Sequence, residues 1–288
     1  MGERVNGLRF VNGESHPPAL LAKDARGFSF RSKQVTRRIQ RLTGLTETTM
    51  SCPLPPEILD LVIDHLHDEP TTLKICCIVS KSWTPRTRRH LFASVEFRTS
   101  QSHIELWKKA FPDPSNSPAH HTRTLSIRGT PVITVADAGV DGWIRTFRNV
   151  VHLQLSHMDL SSLIPFHGLL PIRSLSLICT TCDVSDLIRS FPLLEDLWLC
   201  TFFPARDAGR RNIPLTSPKL TGTLNLSTLE GIHLITRQLL DLPGGLRFSE
   251  IDTPFSHENA KGLTDLVSRC SDTLEFLTIR YCPRGAFP

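Results

Sequence analysis

One pattern, apolar-x-x-Leu-x-Leu or a close variant, recurs from residue 122 onward, centred on Leu125, Leu153, Leu175, Leu197, Leu224, Ile251 and Leu277. The intervals run from 22 to 28 residues. A segment of that length holds one short strand and a helix or irregular return. Neither element buries its apolar face alone, so each coil must be sealed by its neighbours. The chain is therefore expected to be α/β over this stretch, with one curved parallel sheet and helices or loops on the convex side.

The period falls in the range of leucine-rich repeats. Leu274-x-x-Leu277-x-Ile279-x-x-Cys282 matches the full consensus, whereas Thr130, Met158, Thr180 and Phe202 replace its last position elsewhere, so the series reads as irregular. Helices are expected around Val184 to Phe191, capped by Asp183, around Ile232 to Leu240, and around Leu263 to Cys270. Pro165 and the polar segment Pro204 to Pro218 read as loop, and Gly244-Gly245 as a turn. Side chains alternate with period two, so the positions between the consensus leucines face outward onto the concave sheet. That row is Ser126, Gln154, Ser176, Trp198, Asn225, Asp252 and Thr278. It is flanked by Thr124, His152, Ser174, Asp196, Thr223, Glu250 and Phe276. Trp198 stands out as a large aromatic among small polar neighbours, as a binding hot spot does. We take Gln154, Ser176, Asp196, Trp198, Asn225, Asp252, Phe276 and Thr278 as the candidate target-binding set. Only nine residues follow the last consensus strand, so the repeat array is expected to end open or under a partner.

The chain has 288 residues and a net charge of +5. Residues 1–50 carry nine Lys/Arg against four Asp/Glu, which leaves the remainder neutral. A basic nucleic-acid-reading body is thereby disfavoured. Residues 1–50 read as a basic, disordered extension with one short helix bearing Lys33, Arg37, Arg38 and Arg41. No apolar run approaches the roughly 18 residues of a spanning helix, and no secretory leader is evident. The sparse cysteines, Cys76 and Cys77 adjacent, suit a reducing compartment, cytoplasm or nucleus. Three prolines in Phe111 to Pro118 mark a linker, taken as 99–121, between a unit at 51–98 and repeats at 122–288.

In the 51–98 unit, a helix is expected to start at Pro56 or Glu57, carry Ile58, Leu59, Val62, Ile63 and Leu66, and stop at Asp68-Glu69-Pro70. A second apolar set runs from Leu73 to Trp83, ended by Pro85, and a third segment runs from Arg86 to Phe97. Three short helices bury little surface, so such a unit needs a partner. Leu54-Pro55-Pro56-Glu57-Ile58-Leu59 followed by Cys76-Cys77-Ile78-Val79-Ser80-Lys81-Ser82-Trp83 resembles the F-box, and the continuation to Phe92 is similar to fungal F-box proteins. The resemblance implies a three-helix module docking on the small Skp adaptor, and through it cullin, in SCF ubiquitin ligases. It places Leu54, Pro55, Ile58, Leu59, Val62, Ile63, Leu66, Val79 and Trp83 at or behind that interface, about half of them packing inside the module.

Catalytic patterns are missing from this reading. Cys179-Thr180-Thr181-Cys182 is a lone CxxC without further ligands in sequence, and no nucleophile elbow, phosphate loop or dinucleotide fingerprint occurs. No enzyme activity, metal or cofactor is expected. The leading expectation is a substrate-receptor subunit that holds a protein target through its repeats. The alternative is a non-catalytic repeat scaffold, or a nucleic-acid-associated protein using the basic N-terminal segment, with a vestigial F-box.

Overall fold

Alternation of apolar and polar residues decides which face each strand turns to the core. The computed structural model describes residues 8–11, 55–98, 102–129, 144–160, 171–200, 203–204, 218, 220–227, 232–242, 244–255, 257 and 259–281. In chain order the elements are β1 (Leu8–Val11), α1 (Pro56–His65), α2 (Pro70–Val79), α3 (Thr84–Leu91), β2 (Ser94–Arg98) and α4 (Ser102–Ala110). Then come β3 (Thr124–Arg128), β4 (His152–Ser156), β5 (Ser174–Ile178), β6 (Thr181–Cys182), α5 (Val184–Arg189), β7 (Asp196–Cys200) and β8 (Phe203–Pro204). The last are β9 (Thr223–Leu226), α6 (Ile232–Leu240), β10 (Glu250–Phe255), α7 (Ala260–Arg269) and β11 (Phe276–Tyr281). Nine strands form one open sheet in the order β1-β11-β10-β9-β7-β5-β4-β3-β2, and β6 pairs separately with β8. The pairings are parallel throughout.

All seven consensus positions lie on strands and fall on one register line, from Leu125 through Leu153, Leu175, Leu197, Leu224 and Ile251 to Leu277. The first six are no more than 1% exposed. Fully burying a side chain of this kind stabilises by about 1.5–3 kcal/mol, so the period supplies the main driving force. The three expected helices are present as α5, α6 and α7. They turn Val184 and Ile188, Ile235 and Leu239, and Leu263 and Leu266 into the same core. Asp183 caps α5 as the sequence suggested, its Oδ1 accepting from the Ser185 N–H at 2.9 Å and from the Ser185 hydroxyl at 2.6 Å. The Gly244-Gly245 turn has φ of 101° and 75°, which the missing Cβ permits.

Two expected boundaries are corrected. Ser94–Arg98, read as the end of a third helical segment, is instead β2, with Val95 opposite Leu125 and Phe97 opposite Ile127. The stretch 99–121, read as a linker, carries α4 and two 3-10 turns, Pro114–Asn116 and Pro118–His121. Prolines do bar an α-helix or a central strand there, but a 3-10 turn accepts Pro at its start, and the second turn buries Ala119 completely. α4 is held by aromatic packing: the Trp107 ring lies 5.3 Å from Phe97, 5.7 Å from Phe147 and 4.9 Å from Phe111. This packing ties the segment into the body.

The extension is also corrected in part, because Leu8–Val11 adds to the sheet as β1 beside β11, Leu8 opposite Leu277 and Phe10 opposite Ile279. An edge strand has a row of unpaired backbone groups, and β1 meets that row on β11. The end expected to be open is thus paired along four residues. The remainder of residues 1–50, including the expected basic helix, lies outside the described residues, as do Pro165 and most of Pro204 to Pro218.

Chain crossings are tight beside β3. A Cβ on Gly129 would stand 2.3 Å from the His157 carbonyl oxygen and 2.7 Å from Met158 Cγ, and His157 itself has φ of 55°. Backbone cannot yield as a flexible side chain can. We therefore expect Gly129→Ala to cost about 1–3 kcal/mol of stability, read from the urea unfolding midpoint.

Candidate functional site

Two surfaces carry the residues singled out from sequence. The first is the helical unit. All three of its helices start with Pro in the first turn, at Pro56, Pro70 and Pro85. Pro70 and Pro85, read from sequence as stops, do follow the ends of the preceding helices and also start the next ones: a first-turn N–H has no intrahelical partner to lose, while the same ring bars a helix from running through it. α1 closes earlier than expected, at His65.

α2 packs on α3, and α3 on α1. Few side chains of α1 to α3 are buried: Ile63, Leu73, Cys76 and Thr87. An electrostatic clamp supplements this small core. Asp64 on α1 accepts from Arg86 Nε at 2.6 Å, from Arg86 Nη2 and, at 2.7 Å, meets His90 Nε2 on α3. The hydrogen bonds from Arg86 and then His90 hold the Asp64 carboxyl well below the usual carboxylate range. A carboxylate depressed in the folded state stabilises above its unfolded pKa of about 4, and that contribution fades as the pH falls further. Asp64→Asn is thus expected to lower the thermal midpoint at neutral pH. The gap between wild type and variant should narrow below about pH 4 in circular-dichroism melts.

The other face of the unit is apolar and exposed. On α1, Ile58, Leu61 and Val62 are 43%, 56% and 51% exposed; on α2, Ile75, Ile78 and Val79 are 57%, 66% and 65% exposed. α2 is consequently apolar nearly all round, with Leu73 and Cys76 inward. Such a helix is ordinarily covered on both sides. Of the residues expected at the interface, Pro55, Ile58, Val62 and Val79 are exposed, Leu59, Leu66 and Trp83 are half-buried, and Ile63 is buried. Leu54 lies outside the described residues. Sequence reasoning missed Leu61, Ile75 and Ile78. Helical spacing held the signal, since each lies opposite the inward set of its own helix, but apolar residues were assigned to the core first.

The second surface is the sheet face turned away from α5 to α7. Ser126, Gln154, Ser176, Trp198, Asn225, Asp252 and Thr278 form an unbroken register line, all half-buried. Glu96 of β2 extends it at one end. A chain of hydrogen bonds runs along it. Trp198 Nε1 donates to Ser227 Oγ at 3.0 Å, and Ser227 Oγ donates to Asn225 Oδ1 at 2.7 Å. Asn225 Nδ2 then donates to Asp252 Oδ2 at 3.0 Å, and Arg280 Nε donates to Asp252 Oδ1 at 2.8 Å. Arg280 Nη2 ends the chain on the Leu226 carbonyl, also at 2.8 Å.

The indole of Trp198 is therefore held in one orientation while part of it stays accessible. Asn225 and Asp252 are committed to the same network, and Asp196 Oδ1 accepts from the Thr223 N–H at 2.8 Å. Phe276 is 53% exposed at the β11 end of the flanking row. Gln154, Ser176 and Thr278 complete the row, and the buried Ser176 hydroxyl has no hydrogen-bond partner among the described residues. Arg280 and Ser227 were missed from sequence. Arg280 sits two residues beyond Thr278, so the alternation that placed the row also places Arg280 on it.

Among the described residues, no group of three or more His, Cys, Asp or Glu side chains is placed to hold a metal ion. None of the described helices is long and apolar enough to cross a membrane. No family model matches this chain, and no curated protein or solved structure matches it.

Proposed function

We propose that the protein is a substrate-receptor subunit of an SCF-type ubiquitin ligase, a short F-box followed by irregular leucine-rich repeats. One observation carries the reading: the segment that resembles the F-box bares six large aliphatic side chains on α1 and α2 while burying few of its own. Fully covering one such side chain stabilises by about 1.5–3 kcal/mol, so completing the burial of six half-exposed ones supplies on the order of 5 kcal/mol toward docking. A Skp-type adaptor is the partner that the motif Leu54-Pro55-Pro56-Glu57 with Val79-Ser80-Lys81-Ser82-Trp83 calls for, with cullin joined through it.

The polar sheet face supports the second half of the reading. A rigid row with a pre-oriented Trp198 suits a protein target, because an aromatic whose orientation is already fixed loses little entropy on contact. The subunit contributes no bond chemistry on this view. It raises the effective concentration of the target beside the ubiquitin-charged enzyme. Work in the cytoplasm or nucleus follows from the partner.

The test is calorimetric titration and size-exclusion chromatography of the full chain with a fungal Skp adaptor. A one-to-one complex at micromolar concentration or tighter is expected. Well-folded protein that forms no complex overturns the proposal.

A further inference from the structure

The junction between the helical unit and β3 gathers positive charge on α3 and on the turn that leads into β3. α3 packs on the turn Pro118–His121. On α3, Arg86 and His90 face α1 and are taken up by Asp64. Arg88 and Arg89 are exposed and form no ion pair among the described residues. On the turn, the His120 and His121 rings lie 3.9 Å apart, and His120 Nδ1 is 2.5 Å from the Ser117 carbonyl oxygen. Burial, His120, Arg89 and Arg88, in that order, push the His121 imidazole below its ordinary proton affinity, so these four groups share one field. Arg123 stands two residues past the turn and is exposed. Exposed Arg148 precedes Asn149, whose Nδ2 donates to the His120 carbonyl at 2.6 Å.

We propose that this junction, built from Arg88, Arg89, His120, His121, Arg123 and Arg148, docks an Asp/Glu-rich segment of a protein partner. The surface is separate from the aliphatic face of α1 and α2, and it stands whether or not an adaptor binds there. Guanidinium groups pair bidentately with carboxylates, and four of them around one turn fit several acidic side chains in sequence. Nucleic acid fits less well, because residues 51–288 carry as many Asp/Glu as Lys/Arg and so offer no broad basic face to a phosphate backbone.

The test uses the full chain and a fluorescein-labelled peptide of alternating Glu and Gly, followed by anisotropy. Binding should weaken steeply between low and physiological salt. It should fall at least about tenfold in Arg88→Glu/Arg89→Glu and by less in Arg88→Gln/Arg89→Gln, while Arg269→Glu on α7 changes little. The ring resonances of His121 should also titrate at higher pH once the peptide is bound, because an added anion offsets Arg88, Arg89 and His120. The proposal is overturned if the Arg88/Arg89 variants bind like wild type, or if Arg269→Glu weakens binding as much as they do. It is equally overturned if a single-stranded oligonucleotide of matched charge displaces the peptide and binds more tightly through the same arginines.

Discussion

Ile78→Asp and Val62→Asp, alone or together, are expected to abolish adaptor binding, with a loss of at least about 100-fold for the pair, while leaving the protein folded. Ile78 is 66% exposed and Val62 51%, so a carboxylate at either position stays in water in the free protein. In a complex the same carboxylate is stripped of water and left unpaired, which costs several kcal/mol. Truncating Trp83 or Leu59 gives a less clear answer, since both are half-buried and either change disturbs the unit itself. Titration calorimetry against the adaptor, with far-ultraviolet circular dichroism as the folding control, reads both effects. Unchanged binding by the folded double variant would show that the exposed aliphatic face does not meet the adaptor.

Phe147→Ala is expected to be the most damaging single truncation, at about 3–5 kcal/mol. Phe147 is fully buried, and its ring lies 5.9 Å from Phe97 on β2 and 5.7 Å from Trp107 on α4. Removing it opens a cavity where β2, α4 and the 3-10 turn at Ile144–Thr146 meet, and it also removes two aromatic contacts. A domain of this kind is stable by only about 5–15 kcal/mol, so the variant should unfold at a markedly lower urea concentration. A shift of less than about 1 kcal/mol would mean that this aromatic cluster lies outside the cooperative core.

Phe147→Ala and Asp64→Asn together separate the parts of the molecule by what holds them. Truncating Phe147 acts on the sheet and its aromatic end. Asp64→Asn acts on a helical unit whose few buried side chains make its clamp count for more. If the helical unit melts as a separate step, the Asp64 variant should move that step alone.

How much of this could be read before any coordinates follows from the range of each signal. The seven consensus strands, their common register line and the outward row from Ser126 to Thr278 were all legible, because alternation is local and the neighbour repeats it about one coil later. β2 was not: Phe92-x-x-Val95-x-Phe97 has the consensus spacing without its leucines, and it follows so closely on a helix ending at Leu91 that it reads as that helix continued. Leu220 shows the opposite case: it stands one residue earlier than the consensus apolar position, and the backbone brings it in through φ of 42° until it is 1% exposed. In the helical unit the count of apolar residues was legible and their division was not. Ile63 and Val62 are adjacent in sequence, and only the position of α3 decides that the first is covered and the second bare.

Local signals alone give a chain that stacks strand-and-return coils into one parallel sheet and precedes them with short helices bounded by prolines, because periodicity, proline geometry and capping act within a few residues. The folded chain alone decides which apolar faces stay exposed among the described residues. Only it linked Trp198 through Ser227, Asn225 and Asp252 to Arg280, and only it gathered Arg88, Arg89 and His121 around one turn. Those pairings join residues tens of positions apart, and they depend on which segments reach the same place once the core has closed.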